Sequence, residues 1–372
     1  MALRYLLHGQ MRFMTENDFD VLMISAGGKE LAEVISYEQC RHIMVPMTRK
    51  ITPFQDMKCL LRLIRIFRKE KPDIVHTHTP KAGLLGMLAA KICGVKVRIH
   101  TVAGLPLMVE TGNRYRLLKF IEKLTYAAAN HVWPNSRSLF NFITENKLAD
   151  VRKLGIIGNG STNGIDLNRF NKDVLDEKIL NEIRTQIKYK AENKYLLCIG
   201  RLVADKGIVE LVTIFTQMHK ADPSLKLILV GEYEASLDPL PETALKEIEN
   251  NGDILHINWT NHVEYYMHIA NYFVFPSHRE GFPNVLLQAA AMGLPIICSR
   301  IPGNIDIVTN SESGLIFETG NEQEILSLLE YAIAHPQQME VMAKKLQQVV
   351  REDYRQENIW QNILAAYKTL LN

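Results

Sequence analysis

The sequence predicts an α/β protein built of two Rossmann-like, doubly wound domains that face each other across a cleft. Three observations carry that expectation. Short apolar runs alternate with longer amphipathic segments along the whole chain, the order that builds a parallel sheet with helical crossovers. The short runs are apolar nearly throughout, as strands covered on both faces must be. Polar loops punctuated by Gly and Pro sit where these runs give way to helices, the rim on which open parallel sheets bind ligands. At 372 residues the chain has room for two cores.

The elements follow in order. Residues 4–16 read as a helix and 20–25 as a strand. A doubly wound domain normally opens with a strand and a glycine-rich turn, so the first domain is expected to lack its opening strand. A short strand at 42–46 leads to a helix at 53–69. Its apolar face is Met57, Leu60, Leu61, Ile64 and Phe67, and its basic face Lys58, Arg62, Arg65, Arg68 and Lys69. Strands at 73–76 and 95–101 each run into a polar turn, and a helix at 113–129 carries Arg114, Arg116, Lys119 and Lys123. A strand at 131–134 and a helix at 136–146 follow, and 153–157 closes the half. The stretch 158–166, rich in Gly and Asn, reads as a connector. The domains are therefore expected at 1–158 and 171–356, with a hinge at 159–170 and a last helix, 357–372, packing back on the first domain.

The second half repeats the alternation. Strands are expected at 195–200, 225–230, 254–258, 272–275, 294–298 and 315–317. Helices are expected at 208–219, 242–250, 263–269, 284–292, 322–335, 336–352 and 357–371.

Bulk properties narrow the classes. No long uncharged apolar run marks a membrane span, and no secretory signal is evident. The five scattered cysteines suit reduced thiols in a cytosolic protein. Residues 1–160 hold 24 Lys/Arg and 13 Asp/Glu, a net +11, whereas the rest holds 19 and 28, a net −9. That asymmetry suits an anionic partner for the first half, or ordinary solvated helix faces. No Gly-x-x-x-x-Gly-Lys-Ser/Thr loop and no helix-opening Gly-x-Gly-x-x-Gly is present, so phosphate loops of nucleoside triphosphatases and dinucleotide oxidoreductases are missing. Basic and aromatic residues do not interleave as a nucleic-acid platform would require.

The chemistry centres on the loop 276–288. Glu280, with Gly281, Phe282 and Pro283, sits between a strand and the helix opened by Asn284 and Val285. The free N–H groups there suit phosphate. An acid beside an anion site belongs against sugar hydroxyls or a developing cation, which points to a nucleotide-sugar site. Arg201 and Lys206, flanked by Gly200 and Gly207, fit a diphosphate as fork and point charge, or else a salt-bridged surface loop. Gln288, expected about two turns into its helix, suits a ribose hydroxyl or loop packing. Gly231-Glu232 and Asn258-Trp259-Thr260 end strands on the same rim and are candidates for the base and ribose, though each singly is an ordinary turn. His76, His78 and His100 lack a ligating pattern, so no metal is expected. His78, beside Pro80-Lys81-Ala82-Gly83, reads as a cleft-lining donor.

These motifs resemble a known family. Gly200-Arg201-Leu202, Asp205-Lys206-Gly207, Val230-Gly231 and Pro276-Ser277-x-x-Glu280-Gly281-Phe282-Pro283-Asn284-Val285 are similar to those of family 4 glycosyltransferases, which have the glycosyltransferase B fold. Pro72-Asp73-Ile74-Val75-His76-Thr77-His78-Thr79-Pro80-Lys81 and the glycines at 158–166 resemble the bacterial capsule and O-antigen branch. The resemblance implies retaining, metal-independent transfer from a nucleotide sugar, usually UDP-linked, with no cofactor. It implies that Arg201 and Lys206 hold the diphosphate and Glu280 the donor sugar, with Ser277 in the same loop and His78, Lys81 and Gly104 on the acceptor side. It further implies a lipid-diphosphate-linked acceptor at the inner face of the cytoplasmic membrane, a peripheral location that suits the basic first half. Three positions depart from the pattern: Gln288 replaces a glutamate, Ala103 replaces a histidine, and the opening strand is missing. Two other readings stand beside this one, a nucleotide-sugar epimerase on the same fold and a non-catalytic nucleotide-sugar-binding relative. The epimerase would need acid and base carboxylates in the first domain, where Glu110 alone lies near the Gly104 turn.

Overall fold

The computed structural model describes residues 2–48, 50–108, 110–234 and 238–372. The chain divides into two compact units, residues 1–164 with 356–372, and residues 165–355.

The first segment, expected as one helix, is two: α1 (Ala2–Leu6) and α2 (Gln10–Glu16). The break is at Gly9, whose φ of 82° is left-handed; a Cβ there would lie 2.6 Å from the Trp360 indole. Strand β1 (Leu22–Ser25) precedes a helix the sequence reading did not foresee, α3 (Leu31–Glu38). Its last residue, the buried Glu38, accepts the Gly9 N–H at 2.7 Å and the Arg12 N–H at 2.9 Å, placing a carboxylate on the start of α2. Next come β2 (Arg41–Met44), α4 (Pro53–Glu70), β3 (Ile74–Thr77), α5 (Pro80–Ile92) and β4 (Val97–Val102). The unit continues with α6 (Gly112–Ala128), β5 (His131–Pro134) and α7 (Arg137–Glu145). Helices α4 and α5 both begin at proline, whose missing N–H costs nothing there. Helix α7 is capped by the Ser136 hydroxyl, which accepts the Leu139 N–H.

The described strands of this unit form two parallel sheets, β1-β2 and β3-β4-β5. Strands β1 and β3 share a core under α4 and α5, with Ile24 and Val75 against Leu63 and Phe67, but exchange no ladder hydrogen bonds. Residues 161–163, expected to lie in a hinge, are buried and bonded within this unit. Gln10 donates to the Thr162 carbonyl at 3.2 Å, and the Trp360 indole N–H donates to Asn163 at 2.7 Å.

In the second unit α8 (Glu177–Gln186), also unforeseen, is capped by Asp176. It leads to β6 (Lys194–Ile199), α9 (Ile208–Ala221), β7 (Leu225–Val230), α10 (Glu242–Asn250) and β8 (Ile254–Ile257). Then follow α11 (Val263–Ile269), β9 (Tyr272–Phe275), α12 (Asn284–Ala291), β10 (Ile296–Ser299), β11 (Leu315–Phe317), α13 (Glu322–Ala334) and α14 (Pro336–Asp353). The described strands make one parallel sheet in the order β11-β10-β9-β6-β7-β8. The chain starts in the middle at β6, builds outward to β8, then returns to lay β9 against the other side of β6. That reversal is a topological switch point, where open parallel sheets bind ligands. Leu197, Phe273 and Phe275 face one buried layer, Leu196, Cys198 and Val274 the other, as strands covered on both sides require.

The last helix, α15 (Gln356–Leu371), belongs to the first unit. Its Ile359, Ile363 and Leu364 close a core with Val97, Ile99 and Trp133, covering the β3-β4-β5 sheet. All five cysteines are free. No described helix is long and apolar enough to cross a membrane.

Candidate active site

Because β6 and β9 are neighbours, the loops that leave their C-terminal ends lie about 4.8 Å apart at their origins. Gly207 lets them touch. It ends the short turn Ala204–Lys206 with φ 68°, and a Cβ on it would stand 2.2 Å from the Pro276 carbonyl oxygen. The His278 N–H donates to the Asp205 carbonyl at 2.9 Å and fixes the two loops in register. This brings Lys206 and Glu280 together: the ammonium donates to the Glu280 carboxylate at 2.6 Å, to Ser277 Oγ at 3.3 Å and to the Arg279 carbonyl at 3.2 Å. Both side chains are largely buried, 13% and 21% exposed. Ser277 is fully buried, and its carbonyl accepts the Ser299 hydroxyl from the end of β10.

Two outer pairs brace this centre. Arg279 meets Asp205 at 3.0 Å, and His278 meets Glu210 of α9 at 2.7 Å. The hydrogen bond to Glu210 raises the His278 pKa against the opposing effect of burial. Sequence reasoning missed Ser277 as the hub and both outer pairs. Each acid lies in the loop or helix after β6 and each base in the loop after β9, so only the strand order reveals them.

Arg201 is on the same rim but is not drawn to Lys206 and Glu280. Its guanidinium pairs with Glu234, in the loop after β7. The two loops are joined by the Leu202 N–H, which donates to the Glu232 carbonyl at 2.9 Å. Their approach depends on Gly231, where a Cβ would stand 1.8 Å from the Gly200 carbonyl oxygen. Three side chains were expected to converge; two do, and Arg201 is held aside by an acid the sequence reading passed over.

The other candidates divide by what they touch. The Glu232 side chain is exposed on the rim. Asn258 and Trp259 are exposed beyond β8, three strands from β9 and so about 14 Å along the sheet. Thr260 accepts the His262 N–H at 3.1 Å and closes a turn. Phe282 corrects its assignment to the donor: its ring is buried in the core against Tyr354, centroids 5.5 Å apart, and anchors the loop. Gly281 packs its carbonyl against Gly303, where a Cβ would come within 2.7 Å. Pro283 precedes α12 and no side chain caps that helix; Asn284 and Val285 open it, while the Leu286 N–H is already taken by the Pro283 carbonyl at 3.0 Å. Gln288 is half-buried and lies about one turn into α12 rather than two.

In the first unit His78 follows β3, with its ring 4.1 Å from that of His76. Its Nδ1 is buried with no hydrogen-bond partner among the described residues, and burial lowers its pKa to about 3, so the ring is neutral. His76 is held between Tyr367 OH at 2.5 Å and Thr101 Oγ1 at 2.7 Å. Lys81 corrects its assignment as a cleft cation: it is tied to Asp56 at 2.7 Å near the start of α4. Gly104 lies half-buried in the turn after β4. Among the described residues no group of three or more His, Cys, Asp or Glu is placed to hold a metal ion.

The Lys206–Glu280 pair lies at the switch point of a parallel sheet, where α/β proteins bind ligands, and comparison with known proteins gives the class. The family model of glycosyl transferases group 1 matches residues 181–349, and that of glycosyl transferase 4-like proteins matches residues 3–136. The capsular polysaccharide biosynthesis glycosyltransferase CapM of Staphylococcus aureus is 35% identical over 98% of this chain and 94% of its own. The UDP-Gal:alpha-D-GlcNAc-diphosphoundecaprenol alpha-1,3-galactosyltransferase of Escherichia coli is 27% identical over 86% of this chain and 81% of its own. Among solved structures, HepE of Anabaena in complex with UDP superposes with a TM-score of 0.76 at 15% identity, covering 94% of this chain and 100% of that one. The chain belongs to the group 1 glycosyltransferases, and its fold is glycosyltransferase B.

Proposed function

We propose that the chain transfers a sugar from a UDP-linked donor to a lipid-diphosphate-linked glycan, in the synthesis of capsule, O-antigen or a related polysaccharide. The observation that carries this reading is the Lys206–Glu280 pair, held at 2.6 Å where the sheet reverses direction. Lys206 neutralises the diphosphate as the glycosidic bond breaks, and Arg201 joins it by exchanging Glu234 for a phosphate. Glu280 turns to the donor sugar, which replaces the ammonium as its hydrogen-bonding partner. Gln288 keeps a ribose contact, since an amide both donates and accepts. The two cations take the part that a metal plays in other transferases, so the reaction needs no metal or cofactor. It proceeds with retention at the anomeric carbon, as the motif resemblance implies.

The relatives support the substrate classes. The E. coli enzyme is named for a UDP-Gal donor and a diphosphoundecaprenol acceptor, CapM for capsular polysaccharide, and the Anabaena neighbour binds UDP. A lipid-linked acceptor places the enzyme on the cytoplasmic face of the membrane, where the net +11 of residues 1–160 attracts anionic lipid. His78 and Gly104 of the first unit are assigned to the acceptor.

The test is a transfer assay with UDP-Gal, UDP-Glc and UDP-GlcNAc and a panel of undecaprenyl-diphosphate-linked sugars. A lipid product heavier by the sugar residue of one of these donors, lost in Lys206→Ala, supports the proposal. A UDP-binding wild type that extends no acceptor with any of these donors contradicts it.

A further inference from the structure

The first unit holds a small pocket on the rim where β3, β4 and β5 end. Its wall includes His78 just after β3, Thr101 near the end of β4, Asn135 just after β5, and Ser161 and Thr162 of the loop 158–164. The volume is about 10 Å³, the room of one hydroxyl or one water. Two buried polar atoms of this wall, His78 Nδ1 and Asn135 Oδ1, have no hydrogen-bond partner among the described residues. Asn135 as a whole is only 5% exposed. Buried polar atoms are seldom left unpaired, so two around one space mark a place shaped for a partner.

The pocket is preformed. Asn135 Nδ2 donates to Thr162 Oγ1 at 3.1 Å, and the Asn135 carbonyl accepts the Ser161 N–H at 2.7 Å, which leaves the amide oxygen over. Gly160 permits that approach, since a Cβ on it would stand 2.6 Å from the Asn135 carbonyl oxygen. On the other side, the ring of His76 lies 4.1 Å from that of His78 and is itself fixed between Tyr367 of α15 and Thr101. Ser161 Oγ accepts the Gly164 N–H at 3.0 Å, so its hydroxyl and that of Thr162 both keep a proton to donate.

The unused groups define the ligand. Asn135 Oδ1 can only accept, whereas a neutral imidazole nitrogen donates or accepts according to its tautomer. Burial keeps His78 neutral. One hydroxyl serves both atoms at once; a phosphate or carboxylate has no proton for the amide oxygen. Among the described residues lining the pocket there is no Asp, Glu, Lys or Arg, so nothing there compensates a charge. The Trp133 indole adds an apolar face to the wall, suited to the C–H groups of a sugar.

We propose that this pocket selects the acceptor, seating one hydroxyl of its terminal sugar between Asn135 Oδ1 and His78 Nδ1. This deepens the proposed function, on which it rests, by giving the first unit a residue, Asn135, that reads the acceptor's identity. A sugar lacking that hydroxyl leaves the amide oxygen and the imidazole unpaired, a penalty that falls on acceptors and not on donors.

The experiment is titration of the whole chain, loaded with UDP, with soluble phenoxyundecyl-diphosphate-linked GlcNAc, GalNAc, Glc and Gal, and then with the monodeoxy analogues of the probe that binds tightest. The wild type is expected to lose about 10- to 100-fold in affinity when one particular hydroxyl is removed. Asn135→Ala should bind the parent probe about tenfold or more weakly and no longer distinguish it from that deoxy analogue, with UDP affinity unchanged. Should Asn135→Ala not fold, the isosteric Thr162→Val, which releases the amide, takes its place. In the wild type the nitrogen resonance of His78 Nδ1 should shift with the parent probe and not with the deoxy analogue. Full discrimination retained in the variant, or an unmoved His78 resonance, overturns the proposal and leaves the pocket to a water. A wild type that binds none of these probes overturns it too. Probe binding without transfer from any UDP-sugar contradicts the proposed function and leaves the subsite standing.

Discussion

Lys206 has a choice of partner. Bound to the Glu280 carboxylate, Ser277 Oγ and a backbone carbonyl, its charge is compensated inside the protein. A diphosphate offers a stronger acceptor, so donor binding trades one ion pair for another and frees Glu280 for the sugar. Glu280→Gln is therefore expected to leave UDP affinity within about threefold of wild type while lowering kcat by about 100-fold. An equal loss in both, by titration and transfer kinetics, contradicts the division of roles. A second residue responds to pH. Glu122 is buried on α6, and burial raises its pKa to about 7. The folded chain then holds that proton more tightly than the unfolded chain, so stability falls as pH rises from 4.5 to about 7, by at most about 1.4 kcal/mol per pH unit. Glu122→Gln should gain in Tm over wild type from pH 5 to pH 8; the same offset at both pH values contradicts this. The sequence showed Lys206 and Glu280 as candidates because charged residues between glycines at strand ends have few structural uses. It hid Glu234, since an acid four residues past a strand is commonplace until a neighbouring loop supplies its arginine.

At the scale of elements, the site is made by glycines that permit loop contact. Gly207→Ala sets a methyl against the Pro276 carbonyl in a left-handed conformation, and must push the loops of Lys206 and Glu280 apart. A lower Tm and at least about tenfold weaker UDP binding are expected. Gly252→Ala, where a Cβ meets nothing within 4 Å, is the control and should change neither. Strand and helix positions were legible because parallel strands are apolar throughout: β5, β7, β9 and β11 lie at the expected residues. Helix α8 was not, since its apolar residues Ile179, Leu180 and Ile183 are few among charges. Nor was the break at Gly9, against which Trp360 of α15 packs from the far end of the chain.

Across the whole molecule, α15 returns the chain to its first unit and completes a core there. Ile359, fully buried, is the point to probe. Ile359→Ala should cost the first unit about 2–5 kcal/mol, read as a lower denaturant midpoint, and leave UDP affinity unaltered. Loss of UDP binding in that variant contradicts the independence of the donor site in the second unit. The periodicity of the chain announces two α/β units, but it does not say that the first unit carries two separate sheets, because ladder pairing depends on neighbours that are distant in sequence. The central claim is that the cations after β6 bind the donor's diphosphate. Calorimetric titration of UDP into wild type, Lys206→Ala and Arg201→Ala tests it most directly. Each variant should bind about 10- to 100-fold more weakly, the loss of a charge-assisted contact to phosphate; wild-type affinity in both would contradict the account.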